Sequence, residues 1–243
     1  MSRRATTLTI LNCSLVLGMV FTAALSVDGQ QPAKGPEGAA KGGKGKGKGA
    51  AARPPLFFRE EWKQTPQGGE HALMPESVGN PDLTLQFVGP TAKELLLTGN
   101  ADDENNPIHV WTGMCTTPCA FTLKHKNSYA DLTGLARIRL VSKMSGFHQV
   151  RPLIKTADGI WLVGDRAEGS LTDWIESEFN VSDVRWLRVD PMRMVTTGTW
   201  VNNPDLSKVD EIGFADLMPS SGHGPGGWAD VGKIEVYAKA VPR

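Results

Sequence analysis

Helical periodicity is missing from this 243-residue chain. No long segment repeats apolar residues at three- and four-residue spacing, and only 181–184 and 192–195 read as short helical turns, which excludes an all-α or βα-alternating fold. The motifs of catalysis are missing as well: there is no nucleophile elbow, no zinc-binding helix pattern and no phosphate-cradling loop. Cysteine is scarce, with three residues, and Cys13 falls in an apolar leader. Asn12 stands before it, where a lipidated cysteine needs a small residue, and this argues against a lipoprotein. Net charge is lacking too, 26 basic residues balancing 26 acidic ones, but eight basic and two acidic residues lie before residue 54, leaving 18 against 24 beyond it. That net negative charge disfavours a nucleic-acid partner for the later part.

What is present begins with Arg3 and Arg4 ahead of an apolar run from Leu8 to Leu25, closed by Ala23, Ala24 and Ser26. This is the layout of a signal peptide over residues 1–30. The competing reading, a retained membrane anchor, is opposed by the short run and by Asn12 and Ser14 within it. Cleavage leaves no membrane span and predicts a secreted or periplasmic protein. Residues 31–55 interleave Lys and Gly with Ala and Pro. Such a stretch buries too little surface to offset its chain entropy, so it reads as a flexible basic linker, suited to an anionic wall polymer or lipid or to service as a plain spacer. Residues 56–243 are long enough for one large domain with a continuous core.

Period-two alternation predicts strands over 56–63, 83–88, 94–97, 108–112, 120–124, 135–143, 148–155, 160–165, 174–179, 185–190, 211–216 and 233–238. Met144-Ser-Gly146 and Ala157-Asp-Gly159 read as the turns of a meander, the second being a strong hairpin signal. The pattern predicts an all-β fold, an antiparallel β-sandwich. In the meander, Ile138, Leu140, Val150, Ile154, Ile160 and Leu162 are expected in the core. Arg137, Arg139, Gln149, Arg151, Lys155, Trp161, Val163 and Asp165 are expected on the opposite face, joined there by Trp174, Glu176 and Glu178 if Ile175 and Phe179 point inward.

That face combines guanidinium, carboxylate and indole groups. The charged groups can bond pairs of sugar hydroxyls, and an indole covers the apolar face of a pyranose ring. Arg139, Gln149, Arg151, Trp161, Trp174, Glu176 and Glu178 are therefore the candidate ligand-binding residues, with polysaccharide as the predicted partner. The plainer reading is cross-strand ion pairing, which contributes about 0.2–1 kcal/mol per pair. Cys115 and Cys119 flank a turn marked by Gly113 and Pro118, and in an exported chain they are expected to form a disulfide. A redox pair or a zinc site with His109 and His125 fits the spacing less well.

The stretch from Asp131 to Tyr237 resembles the galactose-binding-like β-sandwich group, particularly its carbohydrate-binding modules and the complex I intermediate-associated domain. The likeness rests on Asp131-Leu-Thr-Gly134 with Ile138-Arg-Leu140, on Val150 to Gly159, on Asp205-Leu-Ser-Lys-Val209 with Ile212-Gly-Phe214, and on Ile234-Glu-Val-Tyr237. The chain also resembles secreted proteins of soil bacteria. The resemblance implies a jelly-roll sandwich but not one function, since the group spans sugar binders and assembly factors. Members of the group often hold a structural calcium, and Asp102, Asp103 and Asn105 in the loop 99–107 offer hard oxygen ligands for it.

Two other function classes compete with carbohydrate binding. A glycoside-cleaving enzyme would use paired carboxylates such as Glu176 and Glu178, roughly 7 Å apart on one strand face and so within the range of about 6.5–9.5 Å used by inverting glycosidases; Asp102 and Asp103 with His109 are a second such set. A protein-interaction or assembly domain binding a cell-envelope component would use the glycine-rich loop 219–228 with His223 and Trp228. Trp62, Trp186 and Trp200 read as core or rim packing.

Overall fold

The computed structural model describes residues 52–64, 69–220 and 226–243, apart from the side chains of Ser170 and Leu171. The expected signal peptide, most of the linker and His223 lie outside the described residues.

Fifteen strands form among the described residues, all antiparallel. They are β1 (Leu56–Glu60), β2 (His71–Ala72), β3 (Leu83–Val88), β4 (Leu96–Thr98), β5 (His109–Trp111), β6 (Cys119–His125), β7 (Ser128–Asp131) and β8 (Arg137–Thr156). Then follow β9 (Trp161–Gly164), β10 (Glu168–Asn180), β11 (Trp186–Asp190), β12 (Val195–Val201), β13 (Val209–Asp216), β14 (Ala229–Tyr237) and β15 (Lys239–Pro242). The long strand β8 belongs to two sheets. Its first half pairs with β10 and β14, and β14 continues to β1 on one path and to β5, β4 and β2 on another. Its second half pairs with β13 and β9, extending through β6 to β3 on one side and through β11 to β12 on the other.

This corrects the expected hairpin at 144–146. The chain does not reverse there, because β10 stays beside β8 on both sides of the position, with Glu178 opposite Arg139 and Gly169 opposite Gln149. The Ser145 amide donates to the Trp228 carbonyl, which holds the crossing in place. Gly146 takes φ 65°, a left-handed conformation that glycine adopts without steric cost, and so bends the strand from one sheet into the other. The predicted turn at 157–159 does form a hairpin to β9.

The core lies between the sheets. Ile138, Leu140, Ile234 and Val236 of the first sheet and Phe121, Ile154, Leu162, Ile212 and Phe214 of the second share one buried cluster. Trp62, just past β1, meets Phe121 edge-on at 5.3 Å and donates its indole hydrogen to the Val231 carbonyl. The alternation named the inward residues of β8 and β9 correctly, with Ile160 partly buried against the core. Val163 is the exception. It points outward from the main core as expected, but it is fully buried, in a second cluster with Val88, Ala120, Leu153, Val189, Met194 and Ala215 on the outer face of the second sheet. The turn before β12 folds over that face and covers it. Trp200, read from sequence as packing, is largely exposed on β12, with the Arg185 guanidinium 4.6 Å from its ring centre. Cys115 and Cys119 are joined by a disulfide, as the spacing predicts. No described helix is long and apolar enough to cross a membrane.

Candidate functional site

The outer face of the second sheet carries a groove of about 470 Å³. Its floor is built by register: Glu211 on β13 stands opposite Lys155 on β8, and Lys155 stands opposite Trp161 on β9. Three side chains of different chemistry therefore point the same way in one cross-strand row. Glu211 is only 4% exposed, yet both carboxylate oxygens are used. Oε2 accepts the Thr122 hydroxyl at 2.6 Å and Oε1 accepts the Lys155 ammonium at 2.9 Å. The same ammonium lies 5.3 Å from the centre of the Trp161 ring. A buried carboxylate is tolerated only when paired and hydrogen-bonded, and Glu211 is both; beside it the Trp161 indole is half-exposed.

The walls come from Gln86 and Val88 with Pro90 on one side and from the turn Pro191 and Met192 on the other. That turn is pinned by Met194, whose backbone takes φ 51° and whose side chain is buried in the second cluster. Gly89 permits the approach, since a Cβ there would stand 2.6 Å from the Met194 Cγ. Met192 is left 78% exposed at the rim. An apolar rim, an indole on the floor and a polar row beside it suit a hydroxyl-rich ring better than a charged or purely apolar ligand.

The structure does not gather the seven residues named from sequence into one site. Trp161 alone lines the groove. Arg151 shares its face, four residues along β8 and so about 13 Å away, and donates to Gln149. Arg139, Glu176 and Glu178 lie on the outer face of the first sheet, inside an ion-pair lattice. Glu178, Arg139, Glu235 and Arg59 stand opposite one another across β10, β8, β14 and β1. Arg139 reaches Glu178 at 2.9 Å, Glu176 at 3.3 Å and Glu235 at 3.4 Å, while Arg59 reaches Glu235 at 2.7 Å and Lys233 reaches Glu176 at 3.1 Å. Burial works against the Glu235 charge, but the Tyr237 hydroxyl, Arg59 and Lys233 outweigh it and hold its carboxyl below the usual carboxylate range. The same Glu178 contact raises the Arg139 guanidinium. The cross-strand pairing weighed from sequence therefore describes this face.

Trp174 leaves that lattice and donates to the Asn105 carbonyl at 3.1 Å, with its ring against His109. Asp102, Asp103 and Asn105 are exposed, and Asp103 already accepts the Asn105 amide in a turn. No cluster of three or more His, Cys, Asp or Glu side chains able to hold a metal forms among the described residues. Glu211, like Gln86 and Met192, is a groove residue absent from the sequence candidates, although the inward Ile212 and Phe214 of its strand place it outward by alternation.

In fold, the chain is similar to several solved structures. The family 11 carbohydrate-binding module of the cellulosomal cellulase Lic26A-Cel5E of Clostridium thermocellum aligns over 74% of this chain and 95% of its own, at 14% identity and a TM-score of 0.40. A family 11 module from the same organism, in complex with a β-1,3-1,4-mixed-linked tetrasaccharide, aligns over 74% and 96%, at 16% identity and a TM-score of 0.39. TmCBM61 in complex with β-1,4-galactotriose aligns over 65% and 90%, at 8% identity and a TM-score of 0.37. No protein-family model and no curated protein matches the sequence.

Proposed function

We propose that this domain is an exported, non-catalytic polysaccharide-binding module and that the ligand lies in the groove over Trp161, Lys155 and Glu211. The observation that carries the reading is the half-exposed indole beside the Lys155–Glu211 ion pair at the base of the groove, where the ammonium keeps donors to spare. A sugar ring covers the indole with its apolar face and directs hydroxyls at Lys155 and Gln86. The groove opens to solvent, and at about 470 Å³ it has room for more than one ring. Among the described residues Glu211 is the one acid lining it, and Glu176 and Glu178 are held by Arg139 and Lys233 on another face, so these described carboxylates do not form the free acid and base pair of glycoside cleavage.

A glycan array and a pull-down with insoluble polysaccharides, run on the exported chain, test the proposal. Retention of the intact protein with loss in Trp161→Ala supports it. Retention by neither moves the groove, with its exposed Met192, to the reading of a contact for a protein of the cell envelope. Export itself is tested by recovering the chain, shortened near residue 30, from medium or periplasm.

A structural calcium held by Asp102, Asp103 and Asn105 is a separate proposal, carried by the oxygen-rich loop alone. A melting temperature raised by millimolar calcium and lowered again by chelator supports it, and an unchanged one removes it.

A further inference from the structure

The outer face of the first sheet repeats the groove's chemistry in a smaller space. Lys143 on β8 stands opposite Asp230 on β14, and Asp230 stands opposite Trp111 on β5. Here too a lysine, an acid and an indole are brought side by side by cross-strand register, and they line a cavity of about 280 Å³ together with His109, Trp228 and Glu70. That volume is just under the usual range for a small-molecule site and suits one ring better than a chain.

Two buried groups at its base lack the bond that would tie them together. Asp230 is 4% exposed. Its Oδ2 accepts the Trp228 indole hydrogen at 3.2 Å, but its Oδ1 has no hydrogen-bond partner, the nearest candidate being His109 Nε2 at 3.5 Å. His109 is equally buried, and its Nδ1 lies 2.6 Å from the Pro107 carbonyl. A carbonyl only accepts, so Nδ1 carries a proton, and in the neutral imidazole that burial favours Nε2 presents its lone pair toward Asp230. A buried oxygen without a partner calls for an explanation, and a ligand group is one that also accounts for the cavity. A hydroxyl donates and accepts, so it bonds Oδ1 whether the acid is protonated or ionised. Lys143, which forms no salt bridge among the described residues, is available for a neighbouring oxygen, and the half-exposed Trp111 and Trp228 offer apolar surface for the ring.

We propose that this cavity is a second binding site, distinct from the groove, which takes a single neutral sugar ring by hydrogen bonds to Asp230, His109 and Lys143 and by contact with the indoles of Trp111 and Trp228. It does not depend on the groove's function, because it shares no residue with it.

The test is a titration of the full chain with glucose, galactose, mannose and xylose in turn, read from the indole N–H resonances of Trp111 and Trp228. At least one sugar is expected to shift both saturably. Asp230→Asn is expected to weaken that titration tenfold or more, since the new amide nitrogen donates to His109 and no longer accepts. Lys143→Met, at a half-exposed position where folding is not at risk, is expected to weaken it threefold or more, and Trp161→Ala to leave it unchanged. The proposal is overturned if none of the four sugars moves the two resonances, if Asp230→Asn and Lys143→Met both titrate like the parent, or if Trp161→Ala alone abolishes the effect.

Discussion

Replacing Asp230 by Asn isolates one buried charge. Burial pushes the Asp230 carboxyl up to about 7 from an ordinary value of 3.8, against the pull of the Trp228 indole and of Lys143. A carboxyl whose folded pKa lies above its unfolded one binds a proton in the folded state that the unfolded chain has already lost. Stability therefore falls as pH rises from about 4 to about 7. Roughly three pKa units at 1.36 kcal/mol each make the penalty about 4 kcal/mol above pH 7 and close to zero below pH 4. Asn keeps the bond from Trp228, its carbonyl accepting the indole hydrogen, and it cannot ionise. Asp230→Asn is thus expected to match the parent at pH 4 and to exceed it by up to about 4 kcal/mol at pH 8, or roughly 8–16 °C in a domain of this size. The other charged groups near Asp230 are His109, Lys143 and Glu70. His109 is lowered by burial and slopes the other way, gaining stability as pH rises toward its ordinary 6.5; comparing the two proteins removes the part of its contribution that does not depend on Asp230. Urea melts of the two proteins at each pH from 4 to 8 supply the data. A difference that does not grow with pH, or a variant weaker than the parent at pH 8, refutes the reasoning.

Other consequences follow from the same geometry. Trp161→Ala removes one indole face, about a third of the 150–250 Å² an aromatic buries; at about 25 cal/mol per Å² that is ~1.3–2 kcal/mol, so titration calorimetry with a bound polysaccharide should show affinity reduced at least about tenfold. Met194→Ala empties the plug under the groove wall and should destabilise the domain by about 2–5 kcal/mol in denaturant melts, and a change below 1 kcal/mol would place the second cluster outside the cooperative core. Glu235→Gln weakens bonds to Arg59, Arg139 and Tyr237 at a buried centre and should lose about 1–3 kcal/mol. Glu178→Gln, at the exposed rim of the same lattice, should lose less than about 1 kcal/mol; equal effects would show that burial does not grade the network.

Alternation made the inward faces of β8 and β9 legible, because a side-chain period of two is a local property of the chain. Strand continuity was not local. Met144-Ser-Gly146 has turn composition, and what keeps β8 extended is β10, whose pairing partner lies about 25 residues away in sequence. Short strands such as β2, β7 and β15 carry too few residues to show a period, and β12, with Thr, Gly and Trp at exposed positions, has no buried side to alternate with. For the site, the right residue types were visible but not their separation. Arg139 and Trp161 sit on outward faces of a three-stranded meander read as a single sheet, and the bend at Gly146 assigns them to different sheets. Glu211 and Lys155 come from strands more than fifty residues apart, and only the register of β13 on β8 makes them a pair.

The most direct test of the account compares two variants of the full chain on one polysaccharide-containing native gel. Trp161→Ala disables the groove and Arg139→Ala opens the ion-pair lattice on the opposite sheet. The account predicts that the parent and Arg139→Ala are retarded alike while Trp161→Ala runs free. Retardation that survives in Trp161→Ala and disappears in Arg139→Ala would contradict it, and would return the binding surface to the charged face of β8 and β10.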